Sequence, residues 1–430
     1  MERPVGVGVA GAGTIGGGVI KILKNRIREL EKDPGVVLKG TADKNTSVFK
    51  SLPVDGVKTL SDAEELLNDS GIDIVVELIG GTGYARDYVL KALENKKHVV
   101  TANKALLAEH GPEIFRKASE NGVSLYYEAA VGGGIPVIKA LRESLSGNRI
   151  ESVKTIINGT SNYILTEMTE KGEEFGDVLK RAQDLGYAEA DPGLDIEGGD
   201  AGHKSAIMAS IITKGYVAFE DVHMEGIKEI SPLDVDYASE LGYVIKLLGI
   251  INNTVPVDVR VHPVMLRQEN ILASVNGSFN AVLINGDAVD DVLLYGRGAG
   301  EMPTASAVVG DIIDIARNIK AGDPLRIPSG FYTEENRLKV KPVSDLESRY
   351  YMRFTVIDRP GVLSAITKEF GKRDISIASV IQKQREANKA VPVIITTHSS
   401  KEAFLREAVS EIEGMTDIVR DKTCVIRIEK

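Results

Sequence analysis

An acidic and a basic residue, Asp200 and Lys204, stand four positions apart in the chain. Residues with this spacing lie on one face of a helix, one turn apart. The following residues, 205–213, are mostly apolar all around that helix, a pattern that is typical of a buried helix. Because unpaired charge is costly in a protein interior, we predict that the pair performs acid–base chemistry in a cleft rather than forming an exposed ion pair.

The segment before this pair is acidic and rich in small residues. Residues 186–204 contain five carboxylates and one proline. We expect Asp191 to cap a turn before Pro192, and Asp195 to support the site. We therefore interpret the segment as one wall of a cleft.

A glycine-rich turn near the start of the chain lies between a predicted strand, Val5–Ala10, and a predicted helix over residues 17–30. Small residues permit a tight turn and let the backbone approach a pyrophosphate, which the helix N-terminus then attracts. The context of strand, turn and helix predicts a dinucleotide site. Its members are Gly11, Ala12, Gly13, Thr14, Ile15 and Gly16.

A second predicted strand, Val36–Ala42, ends at Asp43, where an acid can bind the adenosine ribose. Asp43 favours NAD, whereas Lys44 and Lys58 offer positive charge for the 2′-phosphate of NADP. Either lysine is equally consistent with a solvated surface charge. The residues leave the choice between NAD and NADP open.

Two further buried parallel strands are predicted over residues 72–79 and at His98–Thr101. Turns that include Gly80, Thr82 and Lys104 follow them, at the carboxyl edge where open α/β sheets bind ligands. A cation is unfavourable at a helix N-terminus, so we interpret Lys104 as a functional residue beside the cofactor.

From residue 125 the pattern changes. A short strand over residues 125–127 leads to Glu128 and three consecutive glycines, whose oxygens suit a hard cation, although a tight turn explains them equally well. A later strand over residues 153–157 ends in the polar turn 158–162. That turn either holds a substrate carboxylate or caps the following helix.

The composition narrows the class of protein. The chain has 430 residues, a net charge of −10 and one cysteine, Cys424. This length predicts two or three domains. The charge argues against nucleic-acid and anionic-membrane partners, and the single cysteine fits a reducing compartment. We find neither a signal-peptide pattern nor an apolar run long enough for a membrane helix, and we expect a cytoplasmic protein.

Taken in order, these motifs resemble the homoserine dehydrogenase family over most of the chain, from residue 5 to about residue 316. The resemblance rests on the glycine turn, Glu77 to Gly81, Thr101 to Lys104, Glu128 to Pro136, Asn158 to Leu165, residues 186–204, and Gly298 to Gly300 before Pro303.

This resemblance implies the interconversion of L-aspartate 4-semialdehyde and L-homoserine with NAD(P)H, a step toward threonine and methionine. It implies that Lys204 is the acid/base, that Lys104 lies beside cofactor and substrate, and that Asp200 holds both substrate and lysine. The implied substrate residues are Gly159, Thr160, Tyr187, Glu189 and Asp195. Further implied cofactor residues are Gly80, Thr82, Lys104, Gly186 and Gly300.

The resemblance also implies a monovalent-cation site, usually occupied by sodium. Its members are Glu128, Val131, Gly133 and Ile135. The related aspartate-semialdehyde dehydrogenases are excluded by chemistry, because they require a cysteine nucleophile. Cys424 lies in the last predicted strand, far from every site motif.

The C-terminal part has the order βαββαβ of a ferredoxin-like sandwich. Its predicted strands cover residues 350–356, 375–382, 391–397 and 423–428, and its second helix, 401–413, is expected to be capped by Ser399 or Ser400. The unit resembles an ACT domain, which implies either binding of an effector, with L-threonine as the natural candidate, or dimerisation alone. The residues of its first turn are Asp358, Pro360, Gly361, Val362 and Leu363.

The expected fold class is therefore α/β. It comprises a Rossmann-like domain (1–132, completed by a helix over 303–320), an α+β substrate and dimerisation domain (133–302) and an ACT domain (348–430). We expect a homodimer or homotetramer. Two alternatives stay open: a non-catalytic amino-acid-responsive regulator, and an oxidoreductase for another amino-acid aldehyde.

Overall fold

The computed structural model describes residues 3–327, 333–383 and 386–429. Its strands form two sheets, one with six strands and one with eleven. The first sheet belongs to the N-terminal part, and the second runs through the middle and C-terminal parts of the chain. The fold is of the expected α/β class, because parallel strands and helices alternate in the first part of the chain and mixed sheet and helices make up the rest.

The first sheet is parallel throughout, with the strand order β3-β2-β1-β4-β5-β6. The order reverses between β1 and β4, and ligands of open α/β sheets bind at the carboxyl edge beside such a reversal. The strands are β1 (Val5–Ala10), β2 (Val36–Ala42), β3 (Lys58–Leu60), β4 (Ile74–Glu77), β5 (His98–Thr101) and β6 (Leu125–Tyr126).

Five helices connect these strands, and they are α1 (Thr14–Asn25), α2 (Ile27–Lys32), α3 (Glu64–Asn68), α4 (Gly83–Glu94) and α5 (Lys104–Asn121). The expectation of one helix over residues 17–30 is wrong in two respects. The helix begins earlier, at Thr14. It also ends at Asn25, and a separate helix, α2, begins after Arg26. A third parallel strand, β3, was not predicted, because its three residues carry little pattern.

The first sheet and its helices form one layer of the fold, and the helices and strands from the middle of the chain form the second layer. Its helices are α6 (Val137–Lys139, continuing as a π-helical turn, Ala140–Ser144), α7 (Gly159–Lys171), α8 (Phe175–Asp184), α9 (Gly193–Ile196), α10 (Gly199–Thr213), α11 (Pro232–Glu240) and α12 (Glu301–Lys320). Its strands are β7 (Ile150–Ile156), β8 (His223–Met224), β9 (Tyr243–Asn252), β10 (Asp258–Arg267), β11 (Phe279–Gly286) and β12 (Asp290–Arg297). Helix α10 is buried along nearly its whole length, as its apolar pattern predicts.

Helix α12 returns to the N-terminal sheet. Its residues Val308, Ile312 and Ile315 are fully buried in the same apolar cluster as Val7 and Ile20. The chain therefore crosses between the two layers twice, once after β6 and once before α12.

The C-terminal unit has the predicted βαββαβ order. Its elements are β13 (Glu347–Ile357), α13 (Val362–Gly371), β14 (Ile377–Ile381), β15 (Ala390–Thr397), a short β16 (Ser400–Lys401), α14 (Glu402–Glu413) and β17 (Cys424–Ile428).

The predicted cap of the second helix in this unit is wrong. Lys401 occupies the N-cap position of α14, and no side chain there accepts a capping hydrogen bond. Ser400 is instead paired with Ser348 in the β13–β16 ladder, while Ser399 Oγ donates to Glu347 Oε1 at 3.2 Å. The backbone before the helix is therefore committed to a sheet.

The second sheet joins the middle and C-terminal parts, with the order β12-β11-β7-β9-β10-β17-β13-β15-β14. The junction is a parallel pairing of β10 with β17, in which Val264 faces Arg427 and Met265 faces Ile428. The C-terminal unit is thus hydrogen-bonded into the sheet of the middle part. Among the described residues, no helix is long and apolar enough to cross a membrane.

The partly buried His98, at the start of β5, gives a stability prediction. Its Nδ1 accepts a hydrogen bond from Ser124 N at 3.0 Å, and burial lowers the pKa of His98 to about 4 from its ordinary 6.5. The folded protein therefore requires the neutral ring. The free energy of unfolding should fall as the pH drops from about 6.5 to about 4, because only the unfolded chain gains the proton in that window.

Denaturant titrations of the wild type and His98→Asn between pH 4 and pH 7 test this expectation. The variant keeps a hydrogen-bond acceptor but loses the titrating group, so its stability should depend less on pH. The matched variant His110→Asn should retain the wild-type slope. Equal slopes for the wild type and His98→Asn would contradict the prediction.

Candidate active site

A cleft opens at the carboxyl edge of the first sheet, with a volume of about 360 Å³. It lies where β1, β2 and β4 end, beside the reversal in strand order. Its lining residues are Gly11, Gly13, Ala42, Asp43, Lys44, Ser61, Asp62, Ala63, Leu78, Ile79 and Tyr84.

The glycine turn is built for close backbone approach. Gly11 has φ +91°, and a Cβ atom on it would lie 2.3 Å from the carbonyl oxygen of Leu78. A Cβ atom on Gly16 would lie 1.8 Å from the carbonyl oxygen of Gly11, so α1 packs directly on the turn. Around Gly13 no atom lies within 4 Å of such a position, which leaves the turn open toward the cleft. This geometry fits a bound pyrophosphate at the N-terminus of α1.

Asp43 holds the turn in place. Its Oδ2 accepts a hydrogen bond from Ala12 N and its Oδ1 accepts one from Asn45 N, both at 2.8 Å. The carboxylate is thus oriented at the rim of the cleft, where the ribose of a dinucleotide is expected.

The two lysines considered for a 2′-phosphate lie in different places. Lys44 lines the cleft, and its Nζ lies 5.2 Å from the centre of the Tyr84 ring. Lys58 is not among the lining residues, and its Nζ lies 3.5 Å from Glu65 Oε2. Of the two, the structure brings only Lys44 to the cleft.

A buried carboxylate organises the loop after β4. Glu77 is fully buried, and its Oε2 accepts a hydrogen bond from Thr101 Oγ1 at 2.6 Å. Its Oε1 accepts bonds from Ile79 N at 2.8 Å and from Gly80 N at 3.3 Å. The ends of β4 and β5 are therefore tied together, with Thr82 at the following N-cap of α4.

The loop after β5 presents Lys104. Asn103 caps α5 by accepting a hydrogen bond from Leu106 N at 3.1 Å, and its Nδ2 donates to the carbonyl of Gly81 at 2.7 Å. Lys104 is the first residue of α5, and its Nζ lies 3.2 Å from Asp200 Oδ1. The sequence predicts Lys104 at the cofactor edge, and the structure brings it to the acid–base pair as well.

Asp200 and Lys204 lie on one face of α10, as their spacing predicts. Lys204 Nζ donates to Asp200 Oδ2 and to the carbonyl of Ile157, both at 2.8 Å. The two residues are 5% and 9% exposed, so a nearly buried carboxylate bridges two ammonium groups. A lysine has three hydrogens to donate, which leaves one on Lys204 for a substrate oxygen.

The charges around Asp200 keep it ionised. Burial alone would raise its pKa, but the ammonium groups of Lys204 and Lys104, with hydrogen bonds from Lys204 and Asn158, hold the pKa well below its usual range. The carboxylate is therefore a fixed negative charge at every working pH.

The turn before α7 connects this cluster to a second acid. Asn158 caps α7 by accepting from Ser161 N, and its Nδ2 donates to Asp195 Oδ1 at 2.7 Å and Asp200 Oδ2 at 2.8 Å. Thr160 Oγ1 donates to Asp195 Oδ2 at 3.1 Å and to the Tyr187 carbonyl at 2.7 Å. The sequence left two roles open for this turn, substrate binding and helix capping. The structure shows that Asn158 caps α7, and the same side chain also donates hydrogen bonds to Asp195 and Asp200.

Burial and the nearby Asp200 raise the pKa of Asp195. The other aspartate considered in this segment, Asp191, accepts a hydrogen bond from Gly193 N at 3.1 Å, in agreement with its predicted turn role.

The rest of the acidic segment faces outward. Gly186 has φ +76°, Tyr187 is 44% exposed with its ring centre 4.9 Å from that of Tyr163, and Glu189 is exposed. Gln183 Nε2 donates to the carbonyl of Glu189 at 3.1 Å. The structure brings Asp195 and Thr160 into the Asp200 cluster and leaves Glu189 at the rim.

The glycine turn considered for a cation lies between the two layers. Gly132 and Gly133 have φ +77° and +56°, and a Cβ atom on Gly133 would lie 2.4 Å from the carbonyl oxygen of Gly298. This contact places the turn beside Gly300, the N-cap of α12.

The Glu128 carboxylate does not face outward from this turn. It accepts hydrogen bonds from Ile138 N and Lys139 N, both at 2.8 Å. Burial and the nearby Asp311 raise the pKa of Glu128 to about 7. Among the described residues, no cluster of three or more His, Cys, Asp or Glu side chains could hold a metal ion, so any cation at this turn would need backbone oxygens.

His203, beside Lys204 in the sequence, is a packing residue. It is 4% exposed, and its ring centre lies 4.0 Å from that of Phe219. Burial and the charge of Lys104 lower its pKa, so its ring stays neutral.

The candidate regulatory turn joins β13 to α13. Gly361 has φ +91° and is the N-cap of α13, and Val362 is buried. Gln382 Nε2 donates to Asp358 Oδ1 at 3.3 Å, whereas Asp358 Oδ2 is buried with no hydrogen-bond partner within the described ranges. The exposed members of the turn are Pro360, Gly361 and Leu363.

Some cleft residues escaped the sequence analysis. Ser61, Asp62 and Tyr84 line the cleft, and the first two directly follow β3. The end of a third parallel strand would have identified Ser61 and Asp62, but a strand of three residues is too short to recognise from its pattern. Tyr84 lies in the first turn of α4, and no sequence signal marked it.

Comparison with known families agrees with this geometry. The family described as "Homoserine dehydrogenase, NAD binding domain" matches residues 11–128, "Homoserine dehydrogenase" matches residues 136–313, and "ACT domain" matches residues 350–413.

Full-length relatives carry the same description. Homoserine dehydrogenases of Neisseria gonorrhoeae and Pseudomonas aeruginosa are each 44% identical to the chain, over 99% and 97% of both sequences respectively. Among solved structures, a homoserine dehydrogenase from Thiobacillus denitrificans is 44% identical, covers 100% of this chain and 99% of its own, and has a TM-score of 0.92. A hyperthermophilic archaeal homoserine dehydrogenase in complex with NADPH is 27% identical, covers 73% of this chain and 97% of its own, and has a TM-score of 0.62.

These matches favour an oxidoreductase over a non-catalytic regulator. With its dinucleotide cleft, its buried acid–base cluster and its C-terminal ACT domain, the chain belongs to the homoserine dehydrogenase family.

Proposed function

We propose that this enzyme interconverts L-homoserine and L-aspartate 4-semialdehyde with NAD or NADP, as a step of threonine and methionine biosynthesis, and that Lys204 moves the proton. The observation that carries the proposal is the buried Asp200 carboxylate between the ammonium groups of Lys204 and Lys104. This cluster combines a proton donor with a second cation beside the dinucleotide cleft.

The roles of the residues follow from the charge that develops in the reaction. The nicotinamide nucleotide, when bound, supplies or accepts the hydride. In the reducing direction negative charge grows on the aldehyde oxygen, and the uncommitted hydrogen of Lys204 neutralises it. In the oxidising direction Lys204 first releases a proton to water, and its neutral amine then accepts the proton of the substrate hydroxyl. Lys104 adds electrostatic stabilisation, and Asp200 orients both lysines.

The amino-acid part of the substrate needs a partner for each charge. We propose that the exposed Glu189 takes the ammonium group, and that Gly159, Thr160 and Tyr187 line the pocket. Asp195 contributes through its hydrogen bonds with Thr160 and Asn158. The exposed position of Glu189 supports a role as a rim residue that meets the substrate as it enters.

For the nucleotide, the residues support binding at the glycine turn, with Gly80, Thr82, Gly186 and Gly300 at its border. Asp43 favours the free ribose of NAD, and Lys44 favours the phosphate of NADP.

A reducing compartment such as the cytoplasm is proposed from the single cysteine, Cys424.

Steady-state oxidation of L-homoserine with NAD and NADP side by side tests the proposed reaction and its cofactor. Lys204→Ala should lower turnover by roughly 10²–10⁴-fold, since it removes the acid/base. Lys214→Ala, at the exposed end of the same helix, should retain wild-type turnover. Near-normal turnover of a folded Lys204→Ala enzyme would overturn the assignment.

We also propose a monovalent cation, sodium, at the turn of residues 131–135. The carbonyls of Val131 and Gly133 accept no backbone hydrogen bond in the described part of the chain, and oxygen-only donors suit a hard cation. The third proposed ligand is the carbonyl of Ile135, which accepts a hydrogen bond from Val137 N at 2.8 Å. Glu128 is the fourth proposed member of the site, and its carboxylate accepts hydrogen bonds from Ile138 N and Lys139 N.

Sodium should stabilise the fold if it binds there, since a ligand of the native state raises the melting temperature. The melting temperature should rise with added sodium chloride but not with choline chloride at equal ionic strength. Identical curves in the two salts would count against the site.

For the ACT domain we propose L-threonine as an inhibiting effector, held at the turn from Asp358 to Leu363. The unpartnered Asp358 Oδ2 supports this, because it offers an acceptor to an amino-acid ammonium group.

We further propose a homodimer or homotetramer, supported by the position of β14 at the edge of the second sheet.

Threonine should lower turnover and raise the melting temperature of the wild type. Asp358→Asn should weaken both effects by about tenfold in threonine concentration, since it removes a charged acceptor. Glu411→Gln, an exposed acid on α14, should respond like the wild type. If threonine changes neither activity nor melting in the wild type, the effector proposal is wrong.

A further inference from the structure

A short segment, residues 223–227, links the acid–base cluster to the C-terminal domain; we refer to it as the bridging segment. It begins as β8, which pairs with β10. Glu225 N donates to the carbonyl of Val261 at 2.8 Å, and Ile227 N donates to the carbonyl of Ile196 at 2.9 Å. Its backbone is therefore hydrogen-bonded on one side to the large sheet and on the other to the end of α9.

The bridging segment packs directly on the turn that precedes α10. A Cβ atom on Gly226 would lie 2.2 Å from the carbonyl oxygen of Ile196, and one on Gly198 would lie 3.4 Å from the carbonyl oxygen of Glu225. The turn follows Asp195 and ends two residues before Asp200. A displacement of the bridging segment would therefore move the turn that connects Asp195 on α9 to Asp200 on α10.

The side chain of Glu225 points to the C-terminal domain. Its Oε2 accepts a hydrogen bond from Arg427 Nη1 at 2.8 Å, and its Oε1 accepts bonds from Arg427 Nη2 at 3.0 Å and Arg406 Nη2 at 2.6 Å. Burial would raise the pKa of Glu225, but its hydrogen bond with His223 Nε2, at 3.1 Å, and its arginine partners hold the pKa well below its usual range. The carboxylate thus stays ionised and bidentate.

Arg427, the partner of Glu225, is itself held by a second carboxylate, Glu402. It is 2% exposed, and it donates to Glu402 from Nε at 2.9 Å and from Nη2 at 2.6 Å. Tyr350 Oη also donates to Glu402, at 2.9 Å. Since a buried charge that loses its partner is strongly destabilising, this network resists rearrangement. Arg427 stands on β17, the strand that joins the two parts of the sheet.

From these contacts we infer that Glu225 is a positioning residue for the reaction: through its ion pair with Arg427 it holds the turn that lies between Asp195 and Asp200. The C-terminal domain therefore contributes to the geometry of the catalytic cluster with or without an effector. A shift of β17 would reach Asp200 through the ion pair between Arg427 and Glu225 and the backbone contact between the bridging segment and the turn.

A second ion pair between the same domains provides a control. Asp234, fully buried on α11, accepts from Arg353 Nε at 2.7 Å and from Tyr351 Oη at 2.9 Å. It secures the same junction, but its carboxylate contacts β13 and not the bridging segment. A purely structural role for Glu225 predicts that the two pairs behave alike.

The experiment compares Glu225→Gln with Asp234→Asn in the full-length enzyme. Both should lower the melting temperature. Only Glu225→Gln should lower kcat/KM for homoserine, by about tenfold, which is a typical coupling between sites. Its KM for the nicotinamide nucleotide should stay at the wild-type value, because the first sheet forms that cleft.

Equal homoserine kinetics in the two variants, or a parallel loss of nucleotide affinity, would overturn the inference. If Glu225→Gln does not fold, Arg406→Gln removes one partner of Glu225 from a side chain that is 43% exposed, and should show the same selective effect at smaller amplitude.

The inference rests on the proposed catalytic role of Asp200 and Lys204. A Lys204→Ala enzyme with normal turnover would refute that role, whereas unchanged homoserine kinetics in Glu225→Gln, beside an inactive Lys204→Ala, would refute only the positioning role.

Discussion

A buried carboxylate shared by two lysines is the constraint on which the rest of the structure depends. Asp200 is 5% exposed, and it contacts ammonium groups from α10 and from the start of α5. Because such charges are tolerated inside a protein only when they neutralise one another, the two helices must approach closely. Helix α5 belongs to the first sheet and α10 to the middle of the chain, so this one electrostatic requirement brings the two parts together beside the cleft.

The elements around this cluster serve to hold its charges still. Asn158 donates to both Asp195 and Asp200 while it caps α7, and Glu77 ties together the loops that carry the cleft and Lys104. The second sheet continues from these elements into the C-terminal unit, because β10 is hydrogen-bonded to β9 on one side and to β17 on the other. The C-terminal domain is joined to the middle of the chain by strand pairing and by buried ion pairs, so the two parts share one sheet.

Local pattern was sufficient where burial and chain direction act together. The bounds of β1, β2 and β5 agree with their predictions. The reason is clearest for β1, which is buried at every residue and contains only apolar residues and glycine. It failed where partners distant in sequence decide. Ser400 looked like a helix cap but is paired in β16, and the three residues of β3 carry no pattern, so Asp62 was missed at the cleft.

The amino-acid sequence by itself determined the chemistry: which acids and bases exist, that Asp200 and Lys204 share a helical face, and that a glycine turn can accept a pyrophosphate. Residue spacing conveys this because helices and turns are local structures. Only the tertiary structure decided that Lys104 joins that pair, that Lys58 stays away from the cleft, and that Arg427 reaches Glu225. These contacts join residues far apart in the chain, and they depend on how whole layers pack.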